Sequence, residues 1–338
     1  MNPGPDGPTR VAVLGTGRWG EQHARVFAAH PDAELVAVVG RNAGRAQARA
    51  EKYHTRAYTQ INSMLIHERP DLVSVCLPNE EHFEPTLHLL HSGVGLLVEK
   101  PLVFDLDQAD ALLAEATRRE TFFAINFNHR YARPVQLAAE AIRTGRLGEI
   151  VFARWRFGGE PGGGTHPHRN LIETQCHGFD QLEWLVGPIS SVAAQMRTDA
   201  AGNHPTMSIA LAFDDGAVGS MLGTYDASYS QQRTHPLEID GTEGRLLVDD
   251  TVQRFAFSRH GSTSTEVWRA GYFDDAGRSF AATVDGYVDD LLVAFRAGTQ
   301  PPVPASAGRR ALQLAWASIE SFSTRRHVET PFPTPGES

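Results

Sequence analysis

The feature that most constrains this chain lies near its start, where Arg10 to Gly20 reads Arg-Val-Ala-Val-Leu-Gly-Thr-Gly-Arg-Trp-Gly. Val11 to Leu14 are apolar and partly β-branched, as a short buried strand requires. Gly15, Gly17 and Gly20 follow with the spacing G-x-G-x-x-G, and Glu21 to His30 then places Ala24, Phe27 and Ala28 on one helical face. Strand, glycine turn and helix in that order predict a dinucleotide-binding turn. Gly15 can turn sharply, Gly17 lets a pyrophosphate approach the backbone, and Gly20 lets the helix lie close to the strand. N–H groups at the helix start, backed by the helix dipole, favour phosphate, and Thr16, Arg18 and Trp19 share that loop. The plainer alternative is an ordinary glycine-rich βα turn. A second strand, Glu34 to Val39, comes directly after the helix and favours the dinucleotide.

In sites that prefer NAD, an acidic residue about 20 positions further on holds the ribose hydroxyls. Gly40, Arg41 and Asn42 stand there instead. A carboxylate would repel the 2′-phosphate of NADP, whereas a guanidinium pairs with it. Arg41, with Arg45 nearby, therefore points to NADP(H) in preference to NAD(H), with NAD(H) still admissible. The alternative is that Arg41 is a solvated surface residue.

A chain of 338 residues exceeds one typical domain. Its 41% hydrophobic and 21% charged residues are globular in proportion, which sets aside a disordered or fibrous chain. A net charge of −9 argues against non-specific binding to nucleic acid or to an anionic membrane. Cys76 and Cys176 are the two cysteines, too few for a disulfide framework and suited to a reducing cytoplasm. Met1 to Thr9, rich in Pro and Gly, reads as a disordered tail rather than a signal peptide, and no segment is apolar enough to span a membrane.

Strands and helices alternate through the first half. Strands are expected near Arg56 to Tyr58 and over Asp71 to Leu77, Val94 to Val98 and Thr121 to Phe127; helices over Ala43 to Tyr53, Ile61 to Glu68, Phe83 to Ser92 and Asp107 to Arg119. That alternation predicts a doubly wound parallel sheet with helices on both faces, over residues 10–126. The pattern then changes. Arg133 to Thr144 reads as helix, Ile150 to Phe157 as strand, Gly158 to Asn170 as loop, and Leu171 to Val186 as one amphipathic helix stopped by Gly187-Pro188. From Ser190 to Arg269 the signals are β, with a hairpin pairing Leu237 to Asp240 with Arg245 to Val248. Helices return over Val284 to Arg296 and Ala307 to Ser323, the last free to pack back near the first domain. Residues 127–338 thus predict an α+β domain with a large, mostly antiparallel open sheet. Broad apolar sheet faces seldom stay bare, so a homodimer or homotetramer through that sheet is expected.

Several segments in order carry a family resemblance: Val11 to Gly20, Leu77-Pro78-Asn79-Glu80-Glu81-His82, Val98-Glu99-Lys100-Pro101, Asn126-Phe127-Asn128-His129-Arg130-Tyr131, Arg146-Leu147-Gly148-Glu149-Ile150, and Glu173 to Gly187 with its His-x-x-Asp. Together they make the chain resemble the glucose–fructose oxidoreductase/inositol dehydrogenase/MocA family over nearly all residues after 9. The resemblance implies a Rossmann domain, a C-terminal domain with a broad open sheet, a nicotinamide cofactor, an active site between the domains, and oxidation or reduction of a sugar, cyclitol or related polyol. It marks Lys100 as the catalytic lysine, and places the Leu77, Pro78, Asn79 and His82 loop around the cofactor's ribose and nicotinamide side.

The residues themselves bear on that chemistry. Lys100 follows a parallel strand at its carboxyl end, where ligands of open α/β sheets bind, and Pro101 fixes its extended geometry. Beside a positive nicotinamide such a lysine can hydrogen-bond the reacting oxygen and share its proton; Glu99 can orient it or the nicotinamide ribose. A plain exposed lysine at a strand end is the alternative. His177 falls on one helical face with Glu173 at i−4 and Asp180 at i+3. A histidine there can take the hydroxyl proton as hydride leaves, with Glu173 setting its tautomer or binding a neighbouring hydroxyl and Asp180 structural. A satisfied buried histidine is the plainer account. Family members of the inositol type have Asp where Glu173 stands, which puts an inositol assignment in doubt. Arg130 either touches cofactor or substrate or pins the domain interface. Asn128 and the loop from Gly162 through His166, His168 and Arg169 to Asn170 suit a polyhydroxylated ligand; His166, His168, Glu173 and His177 also have the residue types of a metal site, but nicotinamide chemistry requires no metal. Two other readings stay open: a glycosidase of the same fold with tightly bound NAD(H), and a non-catalytic dinucleotide-sensing regulator.

Overall fold

The computed structural model describes residues 7–159, 164–227 and 234–331. The chain divides into two compact units, Met1–Phe127 with Val284–Arg309, and Asn128–Thr283 with Arg310–Ser338.

The first unit begins β1 (Thr9–Leu14), α1 (Arg18–Ala29), β2 (Ala33–Val39), α2 (Ala43–Lys52), β3 (Arg56–Tyr58) and α3 (Ile61–Glu68), then β4 (Leu72–Val75), α4 (Phe83–Ser92), β5 (Gly95–Val98), α5 (Leu106–Arg118) and β6 (Phe123–Ile125). Its six strands form a parallel sheet in the order β3-β2-β1-β4-β5-β6. Val11, Val13, Leu72, Val73, Leu96 and Leu97 are fully buried, so these strands read as apolar runs rather than alternations. Each such side chain contributes about 1.5–3 kcal/mol. The glycine turn fits by necessity. Gly15 has φ +129°, and a Cβ on it would lie 2.2 Å from the Cys76 carbonyl oxygen; one on Gly20 would lie 2.1 Å from the Gly15 carbonyl oxygen. The tail expected to run through Thr9 ends sooner. Thr9 is wholly buried and opens β1, its N–H donating to the Asp32 carbonyl at 2.8 Å, and the Gly7 carbonyl accepts from Arg296 at 2.5 Å. Residues 1–6 of that expected tail lie outside the described residues.

The second unit contains α6 (Arg133–Arg143), β7 (Ile150–Gly158), α7 (Arg169–Glu173), α8 (Cys176–Leu185), β8 (Ile189–Arg197), β9 (Thr206–Phe213) and β10 (Val218–Thr224). They are followed by β11 (Leu237–Gly241), β12 (Gly244–Asp249), β13 (Arg254–Arg259), β14 (Thr265–Arg269) and α9 (Asp275–Arg278); the chain continues through α10 (Ala282–Ala297), α11 (Ala305–Thr324) and β15 (Val328–Glu329). Nine strands form one sheet in the order β14-β13-β12-β11-β7-β10-β9-β8-β15. β7 and β10 pair in parallel and every other neighbouring pair is antiparallel. Along β9, Met207, Ile209, Leu211 and Phe213 are buried while Ser208 and Ala210 are exposed, the period of a sheet covered on one face. Helices α6 and α8 pack on the covered face.

Two further features differ from the reading of the sequence. The helix expected over Leu171 to Val186 is two helices, α7 and α8, broken at Thr174 and Gln175. The fully buried Gln175 side chain donates to the Phe157 carbonyl (3.2 Å) and the Tyr225 hydroxyl (3.0 Å), and its N–H reaches the Asn170 carbonyl (3.2 Å). These bonds hold the chain off a continuous i→i−4 ladder. Most of α10, and the first turn of α11, belong to the first unit. There the buried Tyr287 hydroxyl donates to the Ile125 carbonyl (2.7 Å), Phe295 meets Phe122 edge-on (5.1 Å), and Asp285 pairs with Arg25 (2.8 Å). Both cysteines are free thiols. Among the described residues no helix is long and apolar enough to cross a membrane.

Candidate active site

In the first unit the candidate residues gather at the carboxyl ends of the strands. No side chain caps α1 at Gly17, and a Cβ on Gly17 would meet no protein atom within 4 Å. The exposed start of α1 therefore offers backbone N–H groups and room for a pyrophosphate, as a dinucleotide requires. Thr16 lines the turn, its methyl group filling the space a Cβ on Gly40 would take. Arg18 is exposed and Trp19 half-buried in the first turn.

Beyond β5 and β6 the ladder continues by one residue: Glu99 N–H donates to the Val75 carbonyl and Asn126 N–H to the Val98 carbonyl, both at 2.9 Å. This sets Glu99 and Asn126 side by side. Glu99, buried, accepts at Oε1 from Asn126 Nδ2 (2.7 Å) and from the fully buried His23 of α1 (Nε2, 2.9 Å). Its Oε2 accepts from the Lys100 peptide N–H at 3.2 Å. Burial opposes the Glu99 charge, but His23, Lys100 and Asn126 outweigh it and hold the carboxyl below its ordinary value. Burial likewise opposes a charge on His23. Cys76 and Glu99 beside it outweigh that and push its pKa up to about 10. Lys100 is half-buried.

His82 is fully buried, with Nδ1 2.8 Å from the Pro101 carbonyl and Nε2 3.1 Å from that of Leu77. Burial holds its pKa below the ordinary value, so the ring is neutral and donates from one nitrogen. It ties the Leu77-Pro78-Asn79 loop to the segment after Lys100. Past that loop a 3-10 turn, Asn79–Glu81, carries Glu81, whose carboxylate pairs with Arg41 at 2.8–2.9 Å. Arg41 is otherwise exposed. Glu81 is a partner that reading the end of β2 alone did not supply.

In the second unit, His177 lies in the first turn of α8 and is 5% exposed. Its ring stacks on His129 (3.8 Å between centroids, 4° between planes), and His129 meets Phe280 edge-on at 5.3 Å. His129 stood inside a family-like segment, yet only the fold pairs it with His177. Glu173, buried, ends α7, so the break between α7 and α8 removes the single helical face expected for Glu173, His177 and Asp180. Asp180 takes a structural place: Arg130 forks onto it (Nε–Oδ2 2.9 Å, Nη2–Oδ1 2.5 Å) and lies over the Trp184 ring at 5.3 Å. Burial raises the Asp180 carboxyl pKa against the opposing pull of Arg130. Asn128, also buried, donates to the Thr283 hydroxyl at 2.6 Å.

His166, His168 and Arg169 form a further group. His168 stacks on His204 (4.4 Å, 11°), His166 meets Trp316 edge-on (6.0 Å), and Arg169 donates to Asn203 Oδ1 (2.9 Å). Burial, with His204 and His166 adding to it, drives the His168 pKa down to about 4, so the ring is neutral. Gly162 and Gly163 of this loop lie outside the described residues. Among the described residues no cluster of three His, Cys, Asp or Glu side chains is arranged to hold a metal.

Comparison with known proteins matches this layout. Residues 9–127 match the profile described as "Oxidoreductase family, NAD-binding Rossmann fold", and residues 135–247 match the "GFO/IDH/MocA C-terminal domain". The chain belongs to the Gfo/Idh/MocA oxidoreductase family. Within that family it is 34% identical to D-glucoside 3-dehydrogenase of Escherichia coli K12 over 191 residues, 53% of this chain and 54% of that protein. It is 24% identical to myo-inositol 2-dehydrogenase of Thermotoga maritima over 344 residues, 95% of this chain and 98% of that protein. A solved structure of levoglucosan dehydrogenase in complex with NADH and levoglucosan shares the fold: TM-score 0.86, 20% identity, 96% of this chain and 100% of that one. The first unit's sheet thus has the arrangement of a Gfo/Idh/MocA Rossmann domain.

Proposed function

We propose that this family member is an NAD(P)(H)-dependent dehydrogenase acting on a secondary alcohol carbon of a sugar or cyclitol, or on a sugar's anomeric carbon. One observation carries the reading. Lys100 follows the carboxyl end of a central parallel strand, its own peptide N–H bonded by the buried Glu99 carboxylate. The names of the relatives support the substrate class.

Gly15, Thr16, Gly17, Arg18, Trp19 and Gly20 would hold the pyrophosphate, and Leu77, Pro78, Asn79, His82 and Glu99 the ribose and nicotinamide side. Bound nicotinamide supplies the acceptor or donor of the hydride that leaves or reaches the substrate carbon. The chain's own residues then manage the proton. As the alcohol becomes a carbonyl, its hydroxyl proton passes to Lys100 or His177; in the reverse direction they return it. Glu173 orients the histidine or a neighbouring substrate hydroxyl. Arg130, committed to Asp180, sets the segment that carries Asn128 and His129.

The end of β2 offers NADP(H) the Arg41 guanidinium and no carboxylate of its own, which supports the NADP(H) preference. The Glu81 partner of Arg41 leaves NAD(H) usable as well. We also assign the exposed sheet face of the second unit to a homodimer or homotetramer, and the reduced thiols to a cytoplasmic protein.

Lys100→Met tests the central assignment. Turnover should fall by a factor on the order of 10²–10⁴, the range for a lost acid–base group, with reduced-cofactor affinity nearly unchanged. A variant that keeps wild-type kcat would remove Lys100 from the chemistry.

A further inference from the structure

The first unit buries a polar chain of which the reaction as described uses only Glu99. His23 on α1 sits between two partners: Nδ1 lies 2.7 Å from Ser74 Oγ on β4, and Nε2 lies 2.9 Å from Glu99 Oε1. Ser74 Oγ continues to Cys76 Sγ at 3.6 Å, and Asn126 Nδ2 donates to the same Glu99 oxygen at 2.7 Å. His23 and Ser74 are wholly buried, Asn126 is 1% exposed and Glu99 4%. The other carboxylate oxygen accepts the Lys100 peptide N–H.

We propose that His23 is a positioning residue for the reaction: fixed between Ser74 and Glu99, it sets the carboxylate bonded to the Lys100 peptide and so governs how firmly Lys100 holds its proton. This rests on the reading of Lys100 as the residue that shares the substrate proton.

A buried ion pair adds little net stability, and an apolar or amide set of similar volume would pack at least as well. This pair stands at the carboxyl ends of the central strands, one residue from Lys100. With both imidazole nitrogens donating, to Ser74 and to Glu99, the carboxylate charge is cancelled on the side away from Lys100. Take the imidazole away and the whole field of Glu99 falls on the Lys100 ammonium, which then keeps its proton. Its carboxylate also loses one of the bonds that aim Oε2 at the Lys100 N–H. The titratable groups facing the pair are Cys76 past β4, Lys100 past β5 and His82 ahead of α4; Asn126 past β6 is neutral.

The composition makes a direct test possible, because Lys52 and Lys100 are the only two lysines. The full-length protein is pulse-acetylated with acetic anhydride across a pH series, and each lysine is followed by peptide mass spectrometry. In His23→Gln the pH midpoint of Lys100 acetylation should rise by about one unit, a shift typical of one uncompensated neighbouring charge, while that of Lys52 stays put. Ser74→Ala should move the Lys100 midpoint the same way, and it decides the matter if His23→Gln does not fold. With myo-inositol or methyl β-D-glucoside as the probe, His23→Gln should lower kcat roughly ten- to a hundredfold, the worth of a charge-assisted hydrogen bond, with KM little changed. A purely structural His23 would lower the melting temperature while leaving the Lys100 midpoint and kcat at their wild-type values; that result overturns the proposal. A Lys100→Met enzyme with full turnover would overturn the reading beneath it, whatever the acetylation shows.

Discussion

His23 makes the first unit's stability depend on alkaline pH. Its folded pKa is raised from 6.5 to about 10, so its contribution is full below 6.5, declines as pH rises, and is gone above about 10. Melting temperature should therefore fall between those values, and His23→Gln should melt lower at neutral pH with less of that decline; a parallel curve would show that His23 carries no such linkage. Past the end of β2, Arg41 and Glu81 form an exposed pair whose own contribution to stability is small. On the proposed reading its weight is in cofactor selection. Arg41→Ala should lower NADPH affinity about tenfold and spare NADH, and Glu81→Ala should raise the NADPH-to-NADH ratio by freeing the guanidinium. Fluorescence titration of both cofactors reads both variants; an unchanged ratio in each would remove Arg41 from cofactor choice. The glycine turn and the place of Lys100 after its strand were legible in the sequence because each is a local motif. His23 with Glu99 was not, since that pair forms only where α1 meets the ends of separate strands. Nor was the stacking of His129 on His177, which joins residues far apart in the chain.

The elements of the first unit were legible for a related reason: buried parallel strands are short apolar runs, and glycine, asparagine and proline punctuate them. The hairpin of β11 and β12 was also found from its turn. The break between α7 and α8 escaped because hydrophobic period cannot see it. Leu171, Ile172, Phe179 and Leu182 are all buried, so the pattern is continuous even though the backbone is not. What interrupts it is Gln175, bonded to residues on and just beyond strands remote in sequence. The start of α8 is also packed tightly from below. A Cβ on Gly178 would lie 2.4 Å from the Trp155 ring and 2.7 Å from Met221 Sδ. Gly178→Ala should then destabilise the protein by roughly 1–3 kcal/mol through overpacking, read as a lower urea midpoint. Since His177 is the adjacent residue, its turnover should fall as well. A variant of unchanged stability would show that Trp155 and Met221 give way easily.

At the scale of the whole molecule, family membership fixes a NAD-binding oxidoreductase, and the open sheet of the second unit raises the question of assembly. Light scattering should give twice or four times the monomer mass, and a monomer at micromolar concentration would contradict the assignment of the sheet face. The substrate reading is tested most directly by turnover. The purified protein is mixed with NADP⁺ or NAD⁺ and a panel of sugars, glycosides and cyclitols, and reduced nicotinamide is followed by its absorbance, with Lys100→Met alongside. Stoichiometric cofactor reduction by at least one panel member is expected in the wild type, with its loss in the variant. An aryl glycoside hydrolysed with no net reduction of cofactor, or reduction that survives in Lys100→Met, would contradict it.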